Sequence, residues 1–164
     1  SLGSGATTTA YSKELDTEIS IETDILRKVV RSGSIERFRA EATALVLFPY
    51  KVKNYAGKLL TPSEMENHFP KAWQYLLKNR DALESREGGK FGDDEWYRFG
   101  RSQNLGMWEQ PKILVPYMIP QLAAFHDTGN HYYFINVTTG GYGITIPIMI
   151  ILTKQCPLFR MIIM

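Results

Sequence analysis

One cysteine, Cys156, stands in 164 residues, so no internal disulfide braces this chain, and a reducing, cytoplasmic setting is the simplest expectation. No apolar run approaches the roughly 20 residues of a membrane-spanning helix. The most apolar segment, residues 144–152, is broken by Pro147, and no membrane partner is expected. The first residues lack the basic-then-apolar order of a secretory signal. Global charge is also scant, since 19 basic and 17 acidic side chains leave a net +2. Catalytic signatures are missing too. There is no phosphate loop of the Walker kind and no dinucleotide fingerprint, and Gly140-Gly141-Tyr142-Gly143 lacks the flanks that either would need. His68, His126 and His131 have no ligand spacing for zinc, and no metal is expected. Asp93, Asp94 and Glu95 read as an acidic loop balancing Lys90 and Arg98, and His126-Asp127 as a surface turn without an activated Ser or Cys.

What is present is a local excess. From Arg27 to Lys58 the chain holds eight Lys or Arg residues against Glu36 and Glu41, with Phe38, Tyr50 and Tyr55 interleaved. Cationic side chains gain from phosphate neutralisation and planar rings pack on sugars or bases, so the segment has the composition of a surface that faces a polyanion. An ordinary solvated basic face is the other reading. The length and the 44% hydrophobic content suit one domain with a real core.

The element pattern predicts an α+β fold of several strands, intervening helices and long loops. Thr23 is placed as the cap of a short helix from Asp24, with Ile25, Leu26, Val29 and Val30 as its apolar stripe before Gly33. Residues 34–38 are a turn or helical piece presenting Arg37 and Arg39, and residues 43–50 a strand closed by Pro49. Thr61-Pro62-Ser63-Glu64 carries a capping box and a Pro at N1, and Pro70 restarts a second helix of about four turns ending at 86–89, with Trp73 as a core anchor. Residues 90–110 form an ordered loop. Strands follow at 112–116, at 131–137 after a turn at 127–130, and at 144–152. Residues 1–20 are expected to be an added or flexible lead, residues 21–146 the functional domain, and residues 147–164 a truncated apolar segment.

Three segments in order, YLLKNRDALESR at 75–86, WYRFGR at 96–101 and PKILVP at 111–116, resemble a known pattern. With ILRKVVRSGSI at 25–35, Phe48-Pro49-Tyr50, Tyr132-Tyr133-Phe134 and the glycine loop around Gly141, the match spans roughly residues 20–146. It looks like the C-terminal target-recognition domain of adenine-specific DNA methyltransferases of the TaqI-like and Eco57I-like kinds, including type IIG restriction-modification enzymes. The resemblance implies a non-catalytic specificity domain that grips double-stranded DNA. Its partner would be a methyltransferase domain of the same parent chain, which binds S-adenosylmethionine and receives the flipped adenine. The family's Asn/Asp-Pro-Pro-Tyr/Phe motif and cofactor glycine motif have no counterpart here, so no cofactor is expected in this chain.

Such a domain needs long cations on the DNA backbone and a few forked or amide side chains at base edges. Arg37, Arg39, Lys51, Lys53, Lys58, Lys112 and Tyr142 are the backbone candidates. Arg98, Arg101, Gln103 and Asn104 are the base-reading candidates. Competing roles stand beside several of them: Arg98 paired with Asp94, Arg101 paired with Glu109, Lys112 guarding a strand edge, and Tyr142 plugging the core. The alternative to DNA recognition is a protein-interaction module anchored by Trp96, Tyr97, Phe99 and Trp108.

Overall fold

Short strand pairs, rather than one continuous sheet, carry most of the regular structure of this α+β protein. The computed structural model describes residues 5–118, 121, 123–129, 132–134 and 140–145. The opening residues, expected as a flexible lead, pair instead: β1 (Thr7–Ser12) and β2 (Thr17–Glu22) form an antiparallel hairpin. The alternation in TEISIE explains it, because Ile19 and Ile21 point to one face and Ile21 enters the core.

The helix expected from Asp24 is not formed. Thr23–Ile25 make a single 3₁₀ turn, and β3 (Leu26–Val29) follows as a strand. Thr23 caps nothing with its side chain; its hydroxyl meets that of Thr8 at 2.8 Å. The stripe of Ile25, Val29 and Val30 is buried all the same, but by long-range pairing. β3 lies between β6 (Ala44–Leu47), antiparallel with Val29 opposite Ala44, and β11 (Tyr132–Tyr133), parallel with Val29 opposite Tyr133. A short apolar run satisfies either period, and here the β-branched residues and two available partners decide it.

Between β3 and β6 the chain makes a small antiparallel pair, β4 (Ile35–Glu36) and β5 (Arg39–Ala40), with Arg37 and Phe38 as its turn. After Pro49 a longer hairpin is built from β7 (Tyr50–Lys53) and β8 (Ala56–Leu59). The capping box then starts α1 (Pro62–His68) as expected: the Glu64 N–H donates to Thr61 Oγ1 at 3.2 Å and the Thr61 N–H to Glu64 Oε2 at 2.9 Å. α2 (Pro70–Lys78) begins on its proline and has no cap of its own. The buried Glu22 carboxylate supplies one from β2, accepting the N–H groups of Lys71 (2.8 Å) and Ala72 (2.9 Å).

The expected four-turn helix breaks at Asn79, whose side-chain amide donates to the Tyr75 carbonyl at 2.8 Å. α3 (Arg80–Glu84) and α4 (Arg86–Gly89) follow as short pieces, with Glu87 and Gly88 at left-handed angles. A final short helix, α5 (Leu105–Trp108), closes the long ordered loop. β9 (Lys112–Pro116) is then the middle strand between β10 (Phe125–Asp127) and β12 (Gly141–Thr145). His126 and Asp127, read as a surface turn, belong to β10, and Asp127 is buried. Residues 130–131, 135–139 and 146–164, with Cys156 and most of the strands expected at 131–137 and 144–152, lie outside the described residues.

Three clusters make the core. The first joins Ile21, Ile25, Leu60, Met65, Phe69, Ala72 and Leu76 to Trp96 and Tyr97. Trp73 packs there as anticipated, its ring 5.6 Å from Trp96 and 5.4 Å from Tyr97. The second holds Val29, Phe48, Tyr50, Leu105 and Tyr133, and the third Val30, Ile35, Leu114 and Phe134; Trp108 borders both. Trp96 and Tyr97 are therefore inside the fold, and Phe99 and Trp108 pack on the second cluster. Of the four anchors proposed for an interaction module, Trp96 and Tyr97 are thus buried, while Phe99 and Trp108 stay partly exposed.

Candidate nucleic-acid interface

Asn54 and Tyr55, at φ 50° and 64°, turn the chain between β7 and β8. Positive φ at both central residues is the type I′ geometry whose twist matches a tight hairpin. The ladder places Lys51 opposite Lys58 and Lys53 opposite Ala56. Directly opposed residues and residues two apart share a face, so Lys51, Lys53 and Lys58 project together. Tyr50, Val52, Gly57 and Leu59 occupy the other face, where Tyr50 is buried. Opposed like charges disfavour the hairpin by some tenths of a kcal/mol. Lys51 is relieved by Glu64, at 2.7 Å; Lys53 and Lys58 are exposed and have no partner among the described residues. Two hydrogen bonds, from Lys51 and from the Thr61 N–H, hold the Glu64 carboxyl down to about 2.

The hairpin is backed by α5. A Cβ on Gly57 would stand 2.9 Å from Leu105 Cβ, and one on Gly106 would collide with the Tyr55 carbonyl. Gly106 thus lets α5 meet the turn backbone to backbone, and Gly57 leaves room for the Leu105 side chain. The consequence is a braced finger with a lysine face and the half-exposed ring of Tyr55 at its tip.

The loop of residues 98–104 adjoins this finger. The Phe99 N–H donates to the Tyr50 hydroxyl at 2.6 Å, and the Phe99 ring lies 5.1 Å from that of Tyr50 and 5.9 Å from Phe48. Burial pushes the Tyr50 phenol up. Beneath the loop, the Arg86 guanidinium donates to the carbonyls of Trp96 (2.8 Å) and Arg98 (3.1 Å). Arg98 pairs with Asp93, not Asp94, donates to the Lys90 carbonyl at 3.3 Å, and stacks 4.7 Å over Phe91. Its hydrogen bond with Asp93 raises the guanidinium and holds the carboxyl below the usual range. Arg98 fastens the loop and does not project from it.

Arg101 is the exposed cation of the loop, without a partner among the described residues. Glu109, its suggested counterion, is taken by Arg27 at 2.8 Å. Gln103 and Asn104 are exposed and, with Met107, Trp108 and Thr145, line a cleft of about 310 Å³. Asn104 sits at φ 60°, a left-handed angle that its short amide side chain tolerates.

The remaining candidates separate. Lys112 borders this cleft but is buried: its side chain is 1% exposed, with the ammonium 2.6 Å from Asp127 and 2.7 Å from the Trp108 carbonyl. Burial pushes it down, partly offset by Asp127. It guards no edge either, because β9 is a central strand. The same pair ties Asp127 to Lys112. Tyr142 does not plug the core; it is half exposed beside Tyr117, 6.1 Å between rings. Arg37 lies over Phe38 at 5.1 Å, and Arg39 pairs with Glu41 across exposed surface. Phe38 and Tyr55, interleaved with the basic residues, are also exposed here and are not among the candidates that the sequence singles out. An exposed ring at a left-handed turn position leaves no composition signal.

No family model matches the chain. It is 28% identical over 130 residues to the type II methyltransferase M.BanIII of Aneurinibacillus aneurinilyticus, covering 75% of this chain and 22% of that protein. The chain thus spans about a fifth of its relative's length, and at this identity it has a distant link to a type II methyltransferase.

Proposed function

We propose that this chain is a double-stranded DNA recognition domain serving a site-specific adenine-N6 methyltransferase, of the TaqI-like and Eco57I-like kind that its motifs resemble. The observation that carries the reading is the braced finger: three lysines on one face of a hairpin whose tip is fixed by backbone contact with α5. A fold gains nothing from opposing Lys51 and Lys58, whereas phosphates would neutralise both. The distant likeness to a type II methyltransferase supports the same partner.

In this reading Lys51, Lys53 and Lys58 contact phosphates and set register, with Arg37, Arg39 and Tyr142 as further backbone contacts. Arg101 presents a guanidinium fork to guanine O6 and N7, and Gln103 and Asn104 present amides suited to adenine. Arg98 holds the loop that carries them. Methyl transfer and S-adenosylmethionine belong to a separate domain of a parent chain, since the Asn/Asp-Pro-Pro-Tyr/Phe and cofactor glycine motifs are not in this sequence. The proposed setting is the cytoplasm, and whether a parent also cleaves DNA is a separate property of that parent.

Anisotropy titration of a randomised duplex pool across a salt series, followed by sequencing of the retained fraction, tests this. Salt-dependent retention with an enriched short site is expected. Absence of retention by folded protein, or equal retention of a non-polyanionic control, overturns it.

A further inference from the structure

Phe38 is the most exposed aromatic ring of the described residues, at 67%, and its backbone stands at φ 66°. It occupies the third position of a four-residue turn, where a positive φ ordinarily selects Gly or Asn. For a bulky residue this angle is a true outlier and is retained only where the surroundings impose it. They do so here. Ile35 is buried in the third core cluster, the Phe38 N–H donates to the Ala124 carbonyl at 3.0 Å, and the Glu41 N–H to the Ser34 carbonyl at 2.9 Å. The turn is fastened at its base and on one flank while its ring is offered to solvent. The N–H bond to Ala124 accounts for the backbone of the turn, whereas the ring itself meets the Arg37 guanidinium, 5.1 Å from its centroid, and solvent.

The chemistry around the ring indicates what it meets. Arg37 and Arg39 flank it, and Arg39 is held by a two-thirds-exposed pair with Glu41, of a class that contributes little. A phenyl ring at the apex of a two-residue turn, between two guanidiniums, suits a partner that offers a flat π surface bordered by anions. Stacked bases between phosphates have that form, and apolar side chains that enter base steps are a recognised way to open and bend a duplex. We propose that Phe38 is a wedge that enters the base stack of bound DNA while Arg37 and Arg39 hold the flanking phosphates, an inference that rests on the DNA-recognition reading above. Opening a step beside the target would ease removal of a base from the helix, the operation that a base-modifying parent enzyme requires.

The test compares two fluorescein-labelled 20-bp duplexes, one intact and one with a single abasic site, bound by the full chain across a salt series. A wedge enters a ready-made gap without unstacking, so the wild type is expected to prefer the abasic duplex by roughly tenfold. Phe38→Asn keeps a residue that tolerates the left-handed angle and removes the ring. It should bring the ratio close to one with an unchanged salt slope, and Phe38→Trp should retain the preference. Binding of both duplexes with the same ratio in wild type and Phe38→Asn overturns the wedge and leaves DNA recognition standing. An equal loss on both duplexes, with the ratio kept, also overturns it, because the ring then rests on the exterior. No salt-dependent binding of either duplex overturns both the wedge and the DNA reading, and directs the ring to a protein surface.

Discussion

Glu64 holds Lys51 with one carboxylate oxygen, 2.7 Å from the ammonium, and caps α1 with the other, 2.9 Å from the Thr61 N–H. One acidic side chain thereby ties the lysine face of the finger to the helix that follows it. A phosphate arriving at Lys51 must compete with this carboxylate. Glu64→Gln keeps an acceptor for the cap and removes the rival charge. Its duplex affinity should rise, and the slope of log affinity against log salt should steepen by roughly 0.9, the contribution of one further phosphate contact. An anisotropy salt series on wild type and variant checks this; unchanged slopes would place Lys51 outside the interface.

The same residue sets a pH signature in the absence of DNA. The Lys51 hydrogen bond, followed by the Thr61 N–H, lowers the Glu64 carboxyl to about 2 from an ordinary value of 4.5. A depressed carboxylate stabilises the fold where it is ionised in both states, above the unfolded value. That contribution is lost as pH falls from 4.5 through about 2, where the folded state must also take up the proton. The difference in Tm between wild type and Glu64→Gln should be fully present at pH 6 and fade across that window. The pair is exposed, so solvent screening keeps the effect small.

Backbone contact between Gly106 and Tyr55 fixes the tip of the finger. Gly106→Ala drives a methyl group into the Tyr55 carbonyl, and neither partner is a side chain that can rotate away. α5 must shift, at a cost on the order of 1–3 kcal/mol typical of overpacking. Gly33→Ala is the control, since nothing lies within 4 Å of its added Cβ. Urea denaturation should separate the two variants clearly, and a near-neutral Gly106→Ala would show that the finger is not braced in this way.

How much of this was legible in the residues varies with the range of the cause. Thr61, Pro62 and Glu64 announce α1 because a capping box is complete within four positions. β3 reads as a helix from its residues alone because its burial depends on β6 and β11, and the latter lies a hundred residues further on. The lysine face was visible as an excess of charge, but the shared orientation of Lys51, Lys53 and Lys58 follows from hairpin register, which rests on the Asn54 and Tyr55 turn. The opposite fates of Arg98 and Arg101 were hidden for a similar reason. Three residues apart in one loop, they differ because Asp93, Phe91 and the Lys90 carbonyl surround only the first.

Lys112 provides a test in which stability and binding part company. Its ammonium and the Asp127 carboxylate are 2.6 Å apart and almost wholly excluded from solvent. Lys112→Met removes the ammonium from this buried pair, a change that costs roughly 3–5 kcal/mol. Lys112→Met with Asp127→Leu should recover part of the loss, and only part, because Asp127 also accepts the Tyr132 N–H at 3.2 Å. The double variant, if folded, should keep the wild-type salt slope for DNA. A slope reduced by about one would return Lys112 to the phosphate contacts.

On the DNA-recognition proposal, Arg101 reads a base and Arg98 supports the loop that carries it. Arg101 is exposed and unpaired among the described residues, so Arg101→Ala should leave the Tm unchanged while relaxing discrimination at one base pair by roughly 1–3 kcal/mol. Arg98→Ala removes the stack on Phe91 and the tie to Asp93, and should loosen the whole loop, including the Phe99 N–H bond to Tyr50. Its effect should be a lower Tm and weaker selectivity at every position that the loop reads. Site selection from a randomised pool with each variant gives the position-by-position comparison. If Arg98→Ala alters a single position and Arg101→Ala alters none, the two arginines exchange roles and Arg98 must leave Asp93 to reach the base.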